Sequence, residues 1–445
     1  MQQEDFREKS YWLTTGDYQA NQPLQEKIEV DIAVVGGGFT GLSSAYHLKE
    51  AEPNLKVALL ESQVIGYGAS GRNGGFSMTK MGMMHSLTAV RFGKTKTLEA
   101  HLYAEKAVAY TRQLIEKLQI DCDYEHSGFL WVATSEKFKK RLYNELEFID
   151  KIGIKGIELI SEEDLRSRIN SPLYVGGAWW EPESGILNPA RLAWGWKKVI
   201  EPLGVEIYEN SPVAEIRKEG GKLCLDTAEG TVVAEKVVLA ANAWSHFFTR
   251  TKFKQAPVWT YIVMTEPISE QQFQQIGWQD RESIEDFRDL VHYYRLTADN
   301  RLVFGGRDVN LSWGKDMNRD KDDTIFKQLQ GDVLQTFPAL KGIRFTHQWG
   351  GPVSATLDLF PAMGYAGDKN VIYSLGCVGH GVSLTQLNGA TLADLALERT
   401  TDLTRSFFVN RKTLPIPPEP IRRAVLQSIV SFMRWEDRKY DVLKQ

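Results

Sequence analysis

The first strong pattern along the chain is an apolar strand that runs into a glycine turn and a helix. Residues 31–35 (DIAVV) are apolar and largely β-branched, which predicts a short buried strand, and the sequence GGGFTG follows at 36–41. Residues 42–50 repeat apolar positions at helical spacing, and a second apolar run at 57–60 ends at Glu61. This order of strand, turn, helix and strand predicts a βαβ unit of a parallel sheet.

Patterns further along the chain predict a second, antiparallel sheet and additional helices. Helical periodicity and period-two alternation separate the two kinds of element. The predicted elements are helices at 98–118 and 136–152, strands at 260–265, 291–296 and 301–305, and a hairpin formed by 223–227 and 231–234.

The last pattern is an amphipathic, basic helix at 421–435, which follows a proline-rich stretch at 415–420. A helix of this kind could lie on a membrane surface. Packing against its own protein or against a dimer partner is the preferred interpretation.

Length, composition and charge narrow the class of protein. The 445 residues leave room for about three domains of ordinary size, and 42% hydrophobic with 25% charged residues is the balance of a globular protein. The 53 Lys and Arg residues against 57 Asp and Glu give a net charge of −4, which disfavours nucleic acid as a partner. Cys122, Cys224 and Cys377 form no metal-binding or disulfide pattern, and the sequence shows no signal peptide or membrane-spanning run. We therefore expect a cytoplasmic protein without a metal site.

The glycine turn at 36–41 has the spacing of a dinucleotide-binding fingerprint. Gly36 permits the tight turn, Gly38 lets a pyrophosphate approach the backbone, and Gly41 lets the helix pack closely on the strand. The N–H groups at the start of the helix favour phosphate, and Glu61, 20 residues past Gly41, can accept ribose hydroxyls. A glycine turn in an unrelated α/β fold is the alternative, but the complete strand–turn–helix context favours a dinucleotide.

A second glycine cluster, GYGASGRNGGF at 66–76, helps to choose between NAD and FAD. Five glycines within ten residues are incompatible with a regular helix or strand, and so bare a loop is typical of a backbone that lies against a flat ligand. Ser70 and Asn73 can hydrogen-bond that ligand, and Arg72 can hold negative charge. A flexible surface loop is the alternative.

A third cluster, GCVGHGVS at 376–383, follows an apolar strand at 371–375 and opens a helical pattern that ends near 398. The N-terminus of such a helix favours negative charge on a bound ligand. His380 is a candidate hydrogen-bond donor in the turn, although a purely structural histidine is the alternative.

Together the three clusters resemble the D-amino acid oxidase and sarcosine oxidase superfamily of FAD enzymes. KVVLAANAW at 236–244 is similar to the family's strand and Ala-Gly-Ala-Trp turn, with Asn242 in the place of glycine, and the segments at 349–352 and 356–361 are similar to its late motif. The loop GASGRNGG, with segments at 120–124, 293–306 and 336–342, is similar to the gamma-glutamylputrescine oxidoreductase branch.

The resemblance implies an α/β plus α+β fold, in which a discontinuous, Rossmann-like FAD-binding domain is interleaved with an antiparallel-sheet substrate domain. It places 28–78, 188–247 and 346–400 in the FAD-binding domain, 79–187 and 248–345 in the substrate domain, and 401–445 in a C-terminal tail. The residues expected to contact FAD are Gly36, Gly38, Phe39, Thr40, Gly41, Glu61, Ser62, Gly68, Ala69, Ser70, Arg72, Asn73, Gly74, Gly75, Val213, Ala241, Trp244, Gly379, His380, Gly381, Val382 and Ser383.

Two departures from the family pattern change what is expected of the site. Gly351 stands where monomeric sarcosine oxidase has the cysteine that holds FAD covalently, so we expect noncovalent FAD. Val353 stands where glycine oxidase has the arginine that grips the substrate carboxylate, so an amine substrate is favoured over a simple amino acid. Arg295 or Arg307 could still supply a positive charge from another strand.

The expected reaction is hydride transfer from the carbon next to an amine to flavin N5, giving an imine that hydrolyses to an aldehyde and ammonia. Dioxygen is the expected electron acceptor and would yield hydrogen peroxide. The candidates for catalytic residues are His380, Tyr293, Arg307 and Trp349, with Tyr261 and Tyr294 as further pocket residues, whereas His292 and His347 are expected to be structural.

Other functions stay open at this point. The alternatives are a glycine, sarcosine or imino-acid oxidase of the same superfamily, a membrane-associated amine dehydrogenase that reduces quinone, and a non-enzymatic flavin-binding protein. A dehydrogenase that uses NAD alone is disfavoured by the second glycine cluster.

Overall fold

The structure is a computed structural model that describes residues 5–440, with residues 178–180 described by their backbone alone. The strands are β1 (Lys27–Val35), β2 (Val57–Leu60), β3 (Phe76–Ser77), β4 (Phe129–Val132), β5 (Glu158–Ile160), β6 (Ala178–Glu181), β7 (Gly185–Ile186), β8 (Val205–Tyr208), β9 (Glu215–Glu219), β10 (Lys222–Asp226), β11 (Thr231–Leu239), β12 (Ala256–Pro267), β13 (Ser283–Asp286), β14 (His292–Leu296), β15 (Arg301–Gly306), β16 (Asn310–Leu311), β17 (Phe345–Ala355), β18 (Ala362–Tyr365) and β19 (Val371–Leu375).

The helices divide between the two sheets and the C-terminal tail. They are α1 (Phe39–Ala51), α2 (His85–Phe92), α3 (Lys94–Lys117), α4 (Glu136–Lys151), α5 (Glu162–Arg168), α6 (Pro189–Ile200), α7 (Glu270–Ile276), α8 (Asp323–Thr336), α9 (Gly381–Ala396) and α10 (Ile421–Tyr440). No helix in the described part of the chain is long and apolar enough to span a bilayer.

The first sheet has the parallel core expected of a Rossmann-like domain. Its main path runs β18-β19-β11-β1-β2-β8, in which every pair except β18 with β19 is parallel, and the β9–β10 hairpin extends from β11. Because the parallel strands are covered on both faces, β2 and the second half of β1 are buried at every position. Helices α1 and α9 cross closely, since a Cβ on Gly389 would come within 2.3 Å of Ser43 Oγ. The predicted Rossmann-like fold is confirmed.

The second sheet is mostly antiparallel and runs β16-β12-β15-β14-β13-β4-β6-β5, with β17 paired to β12. Its strand β17 differs from the prediction, which assigned residues 346–400 to the FAD-binding domain. β17 instead pairs with β12 from Phe345 to Ala355, so this first part of the segment belongs to the second sheet. The rest agrees with the prediction, because β18 and β19 belong to the first sheet and α9 packs against α1.

The predicted helices and strands lie close to the observed ones. Helices α3 and α4, strands β12, β14 and β15, and the β10–β11 hairpin all confirm the predicted type of element. The tail helix α10 extends further than predicted, to Tyr440, and its last turns contact the rest of the chain through Asp437.

Candidate active site

The turn after β1 forms a narrow cradle that only glycine allows. Gly36 has φ +112°, and a Cβ there would lie 2.7 Å from the Ala240 carbonyl oxygen. A Cβ on Gly41 would lie 2.0 Å from the Gly36 oxygen, so α1 approaches β1 as closely as the fingerprint requires. Gly38 precedes α1 and provides no side-chain cap. This bare helix N-terminus, at the carboxyl ends of parallel strands, fits a pyrophosphate that accepts backbone N–H bonds.

Glu61 lies at the end of β2 and supports the cradle directly. Its Oε2 accepts the Gly37 N–H at 2.7 Å, and its Oε1 accepts the Ser62 hydroxyl and the Gln63 N–H, both at 3.0 Å. Burial raises the pKa of Glu61. The backbone N–H of Phe39 donates to Ser70 Oγ at 3.0 Å, which connects α1 to the second glycine cluster.

The second glycine cluster, residues 66–76, is held as a rigid loop by side chains from distant parts of the chain; we call it the flavin loop. Four of its backbone carbonyls accept hydrogen bonds from these side chains. Ser10 Oγ donates to the Gly71 carbonyl at 2.5 Å and Trp12 Nε1 to the Asn73 carbonyl at 2.8 Å. Trp349 Nε1 donates to the Arg72 carbonyl at 2.8 Å, and Arg295 Nε donates to the Gly74 carbonyl at 2.7 Å. The interpretation of a flexible surface loop is therefore wrong. The N-terminal contributions from Ser10 and Trp12 were missed, because nothing in the local sequence pattern signals so distant a contact.

Arg295 is buried, and three of its five N–H groups donate to backbone carbonyls. Besides Gly74, its guanidinium donates to the carbonyls of Leu187 at 2.6 Å and Leu296 at 3.0 Å, and it stacks 4.7 Å from the Trp12 ring. Burial lowers the pKa of Arg295 to about 9. Its role in the structure is to fix the flavin loop.

The turn before α9 presents a helix N-terminus and an imidazole to the same region. Gly379 has φ +86° and open space where a Cβ would point, and His380 is the N-cap residue of α9. His380 Nδ1 is buried and has no hydrogen-bond partner in the described part of the protein. Burial and the positive charge of Lys80 hold the pKa of His380 well below its ordinary value, so the imidazole is neutral near pH 7. The helix entry that follows consists of Gly381, Val382 and Ser383, whose hydroxyl bonds Ser77 Oγ at 2.8 Å.

The other predicted FAD contacts lie around the ends of β8 and β11. Ala241 and Asn242 follow β11, and Asn242 has φ +41°, a conformation that asparagine tolerates in the place of the family's glycine. The Trp244 ring lies 3.1 Å from where a Cβ on Gly68 would be, so it packs against the flavin loop. Val213, beyond β8, packs at the edge of the first sheet's core.

A cavity of about 380 Å³ lies between the flavin loop, the second sheet and α10. This volume falls within the range of ligand-binding pockets. Of the predicted pocket residues, Tyr293, Arg307 and His380 line the cavity, and so do Gly351 and Val353.

Trp349, Tyr261 and Tyr294 do not line the cavity. Trp349 is buried and reaches the flavin loop through its indole N–H. The Tyr261 hydroxyl donates to the Arg319 carbonyl at 2.7 Å, and the Tyr294 hydroxyl bonds the Tyr174 hydroxyl at 2.6 Å in the core. Any effect of these three residues on catalysis is therefore expected to be indirect.

Charged groups in the cavity are mostly paired with one another. Arg307 donates from Nη1 to Asp332 Oδ1 at 2.6 Å, which directs its guanidinium toward α8. Lys80 forms a close ion pair with Glu285, and its ammonium lies 4.9 Å from the Trp131 ring. Lys80 and Glu285 were not predictable from the sequence, because each is a single charge in a segment without a motif.

The comparisons with known proteins agree with this geometry. The family described as FAD dependent oxidoreductase (DAO) matches residues 31–395. The chain belongs to this family. It is 34% identical over 387 residues to gamma-glutamylputrescine oxidoreductase from Escherichia coli K12, covering 86% of this chain and 88% of that protein. It is 23% identical to glycine oxidase from Bacillus subtilis, over 87% of this chain and 98% of that one.

Solved structures show the same fold. Glycine oxidase from Geobacillus kaustophilus aligns with a TM-score of 0.72 at 22% identity, covering 86% of this chain and 99% of that chain. L-proline dehydrogenase from P. horikoshii aligns with a TM-score of 0.71 at 20% identity, covering 87% and 97%. The protein is an FAD-dependent oxidoreductase. The glycine cradle, the clamped flavin loop and the open helix start at Gly379 fit this cofactor.

Proposed function

We propose that the protein oxidises the carbon next to the primary amine of a gamma-glutamylputrescine-like substrate. In this reaction R–CH2–NH2, dioxygen and water give R–CHO, ammonia and hydrogen peroxide. The similarity to the Escherichia coli relative supports the substrate class, and the lining of the cavity supports an amine over a simple amino acid.

The observation that carries the proposal is that the arginines of the cavity wall already have partners within the protein. Val353 offers no charge, Arg72 donates to the Tyr67 carbonyl, and three arginines pair with carboxylates: Arg141 with Asp289, Arg288 with Asp286 and Arg307 with Asp332. A simple α-amino acid needs a cation next to its carboxylate, and a forked guanidinium is the usual solution. A substrate with its reacting amine at the end of an aliphatic chain has no carboxylate at that point.

FAD, when bound, supplies the two-electron acceptor for this chemistry. The flavin loop and the turn before α9 would hold the ring. Tyr293 and His380 border the cavity, and the neutral imidazole adds no charge that would repel an ammonium substrate. Gly351 carries no thiol, and a Cβ there would already lie 3.2 Å from Arg72 Cβ, so noncovalent attachment of FAD is proposed.

A substrate panel tests the proposal. The holoenzyme is assayed with gamma-glutamylputrescine, putrescine, glycine, sarcosine and proline, and peroxide, ammonia and aldehyde are measured together. Gamma-glutamylputrescine should give all three products in equal amounts, with a kcat/KM at least tenfold above that for any amino acid. Faster turnover of glycine, sarcosine or proline would favour an amino-acid oxidase, and turnover with an added quinone but not with dioxygen would favour a dehydrogenase.

A variant sharpens the test. Val353→Arg adds to the cavity wall a guanidinium that has no carboxylate partner provided for it, unlike Arg141, Arg288 and Arg307. It should improve kcat/KM for glycine or sarcosine and reduce it for gamma-glutamylputrescine, while FAD content stays constant. Denaturation with acid, followed by filtration, should release all of the FAD into the filtrate.

A further inference from the structure

Helix α10 forms part of the wall of the cavity that also holds the flavin loop. Leu426, Ile429, Val430 and Met433 line the cavity. Their spacing of three, four and seven residues places them on one face of the helix. Val430 is 8% exposed, whereas Phe432, on the opposite face, is 61% exposed.

The helix is attached to the rim of that cavity. Arg434 donates to Asp308 Oδ1 from Nη2 at 2.6 Å and from Nε at 2.9 Å. The Asp437 carboxylate accepts the N–H groups of Asp289 at 2.9 Å and Leu290 at 2.8 Å. Because Asp308, Asp289 and Leu290 themselves line the cavity, displacing α10 would open the cavity to solvent.

The wall that α10 contributes is apolar and lies outside the part of the chain that matches the family. The match ends at residue 395, and α10 begins at Ile421. None of its four lining side chains can bind a charged or hydrogen-bonding group. The part of a ligand that reaches this wall is therefore hydrocarbon.

We propose that α10 is the outer wall of the substrate cavity, and that Leu426, Val430 and Met433 contact the aliphatic part of the substrate beyond its reacting amine. These contacts then set the chain length of the amine that the enzyme accepts. The proposal rests on the amine oxidation proposed above, since it assigns contacts to the methylene chain of the same substrate.

A series of unbranched alkylamines, from propylamine to octylamine, tests these contacts on the holoenzyme. Affinity is measured by calorimetry under nitrogen, with the flavin absorbance recorded in parallel. In the unsubstituted protein each methylene that reaches α10 should tighten binding about fourfold, the effect of burying one methylene. Met433→Ala and Val430→Ala should each weaken the longer amines about tenfold and leave propylamine unchanged, while Phe432→Ala should match the unsubstituted protein. Equal effects at all chain lengths, or none, would overturn the proposal.

The two proposals can fail separately. If alkylamines bind with the predicted length dependence but gamma-glutamylputrescine never bleaches the flavin, amine oxidation is refuted and the wall is supported. If no alkylamine binds, the wall is tested without an amine. The measurement is then the rate at which sulfite bleaches the oxidised flavin of the holoenzyme. Arg434→Ala should raise this rate at least fivefold by loosening α10, Arg434→Lys should raise it less, and Phe432→Ala should not change it. An unchanged rate in Arg434→Ala would show that α10 does not cover the site.

Discussion

Replacing Gly36 by alanine tests the cradle most simply, because Gly342 provides a matched control. Gly36 and Gly342 have φ +112° and +89°, so alanine is strained at both positions. Only at Gly36 does the new methyl group meet the backbone, 2.7 Å from the Ala240 oxygen and 3.0 Å from its carbonyl carbon, whereas nothing lies within 4 Å at Gly342. The left-handed strain costs about 1–2 kcal/mol in both variants. The contact with Ala240 adds about 1–3 kcal/mol at Gly36 alone.

The extra cost at Gly36 falls on the turn that holds the pyrophosphate. If it is relieved by a shift of that turn, FAD binding weakens by about 5-fold to 150-fold, since about 1.4 kcal/mol corresponds to a factor of ten. The dissociation constant is measured by titrating apoprotein with FAD and following flavin fluorescence, and stability is measured by urea unfolding. Gly342→Ala should lose stability but bind FAD normally. Equal FAD affinity in the two variants would refute the assignment of this turn to the cofactor.

Three further predictions follow from individual contacts. Trp349→Phe removes the donor to the Arg72 carbonyl and should weaken FAD binding roughly fivefold, about 1 kcal/mol, in the same fluorescence titration; an unchanged affinity would contradict the clamp. Because the pKa of His380 is held well below its ordinary value, His380→Gln should lower kcat by the same factor at every pH from about 6 to 9. If the pH profile of kcat shows an ionisation near pH 6.5 that this variant loses, the imidazole is not neutral and the prediction is wrong. Burial raises the pKa of Asp437 from its ordinary value of 3.8 to about 6, so the carboxyl group binds a proton more tightly when α10 is docked than when it is displaced. Docking of α10 therefore strengthens as the pH falls from above 6 toward 3.8. The effect is at most roughly 3 kcal/mol; hydrogen exchange of 421–440, corrected for the intrinsic rate, should therefore be slower at pH 5 than at pH 7, and Asp437→Asn should abolish the difference.

Features fixed by neighbouring residues were predictable from the sequence. The turn at Gly36 and the start of α9 at Gly381 each combine an apolar strand, glycines and a helical pattern within about 30 residues, the length of one βαβ unit. The geometry of these turns depends on backbone conformations that glycine alone adopts easily, so the positions of the glycines in the sequence predict the turns.

Features that depend on distant contacts were not predictable. Tyr293 and Tyr294 are adjacent in β14, but successive side chains of a strand point to opposite faces, so one lines the cavity and the other packs in the core. Which face meets the cavity follows from how the second sheet packs on the flavin loop, and the sequence does not contain that information locally. The same holds for Trp12 and for the cavity-lining face of α10.

Anaerobic rapid mixing of the holoenzyme with gamma-glutamylputrescine is the most direct test of the proposed reaction. The absorbance of the oxidised flavin should disappear completely, at a rate at least equal to kcat, and dioxygen admitted afterwards should restore it with release of one peroxide per flavin. Glycine, sarcosine and proline should bleach the flavin at least tenfold more slowly at the same concentration. A flavin that stays oxidised with gamma-glutamylputrescine but is bleached rapidly by one of these amino acids would contradict the account.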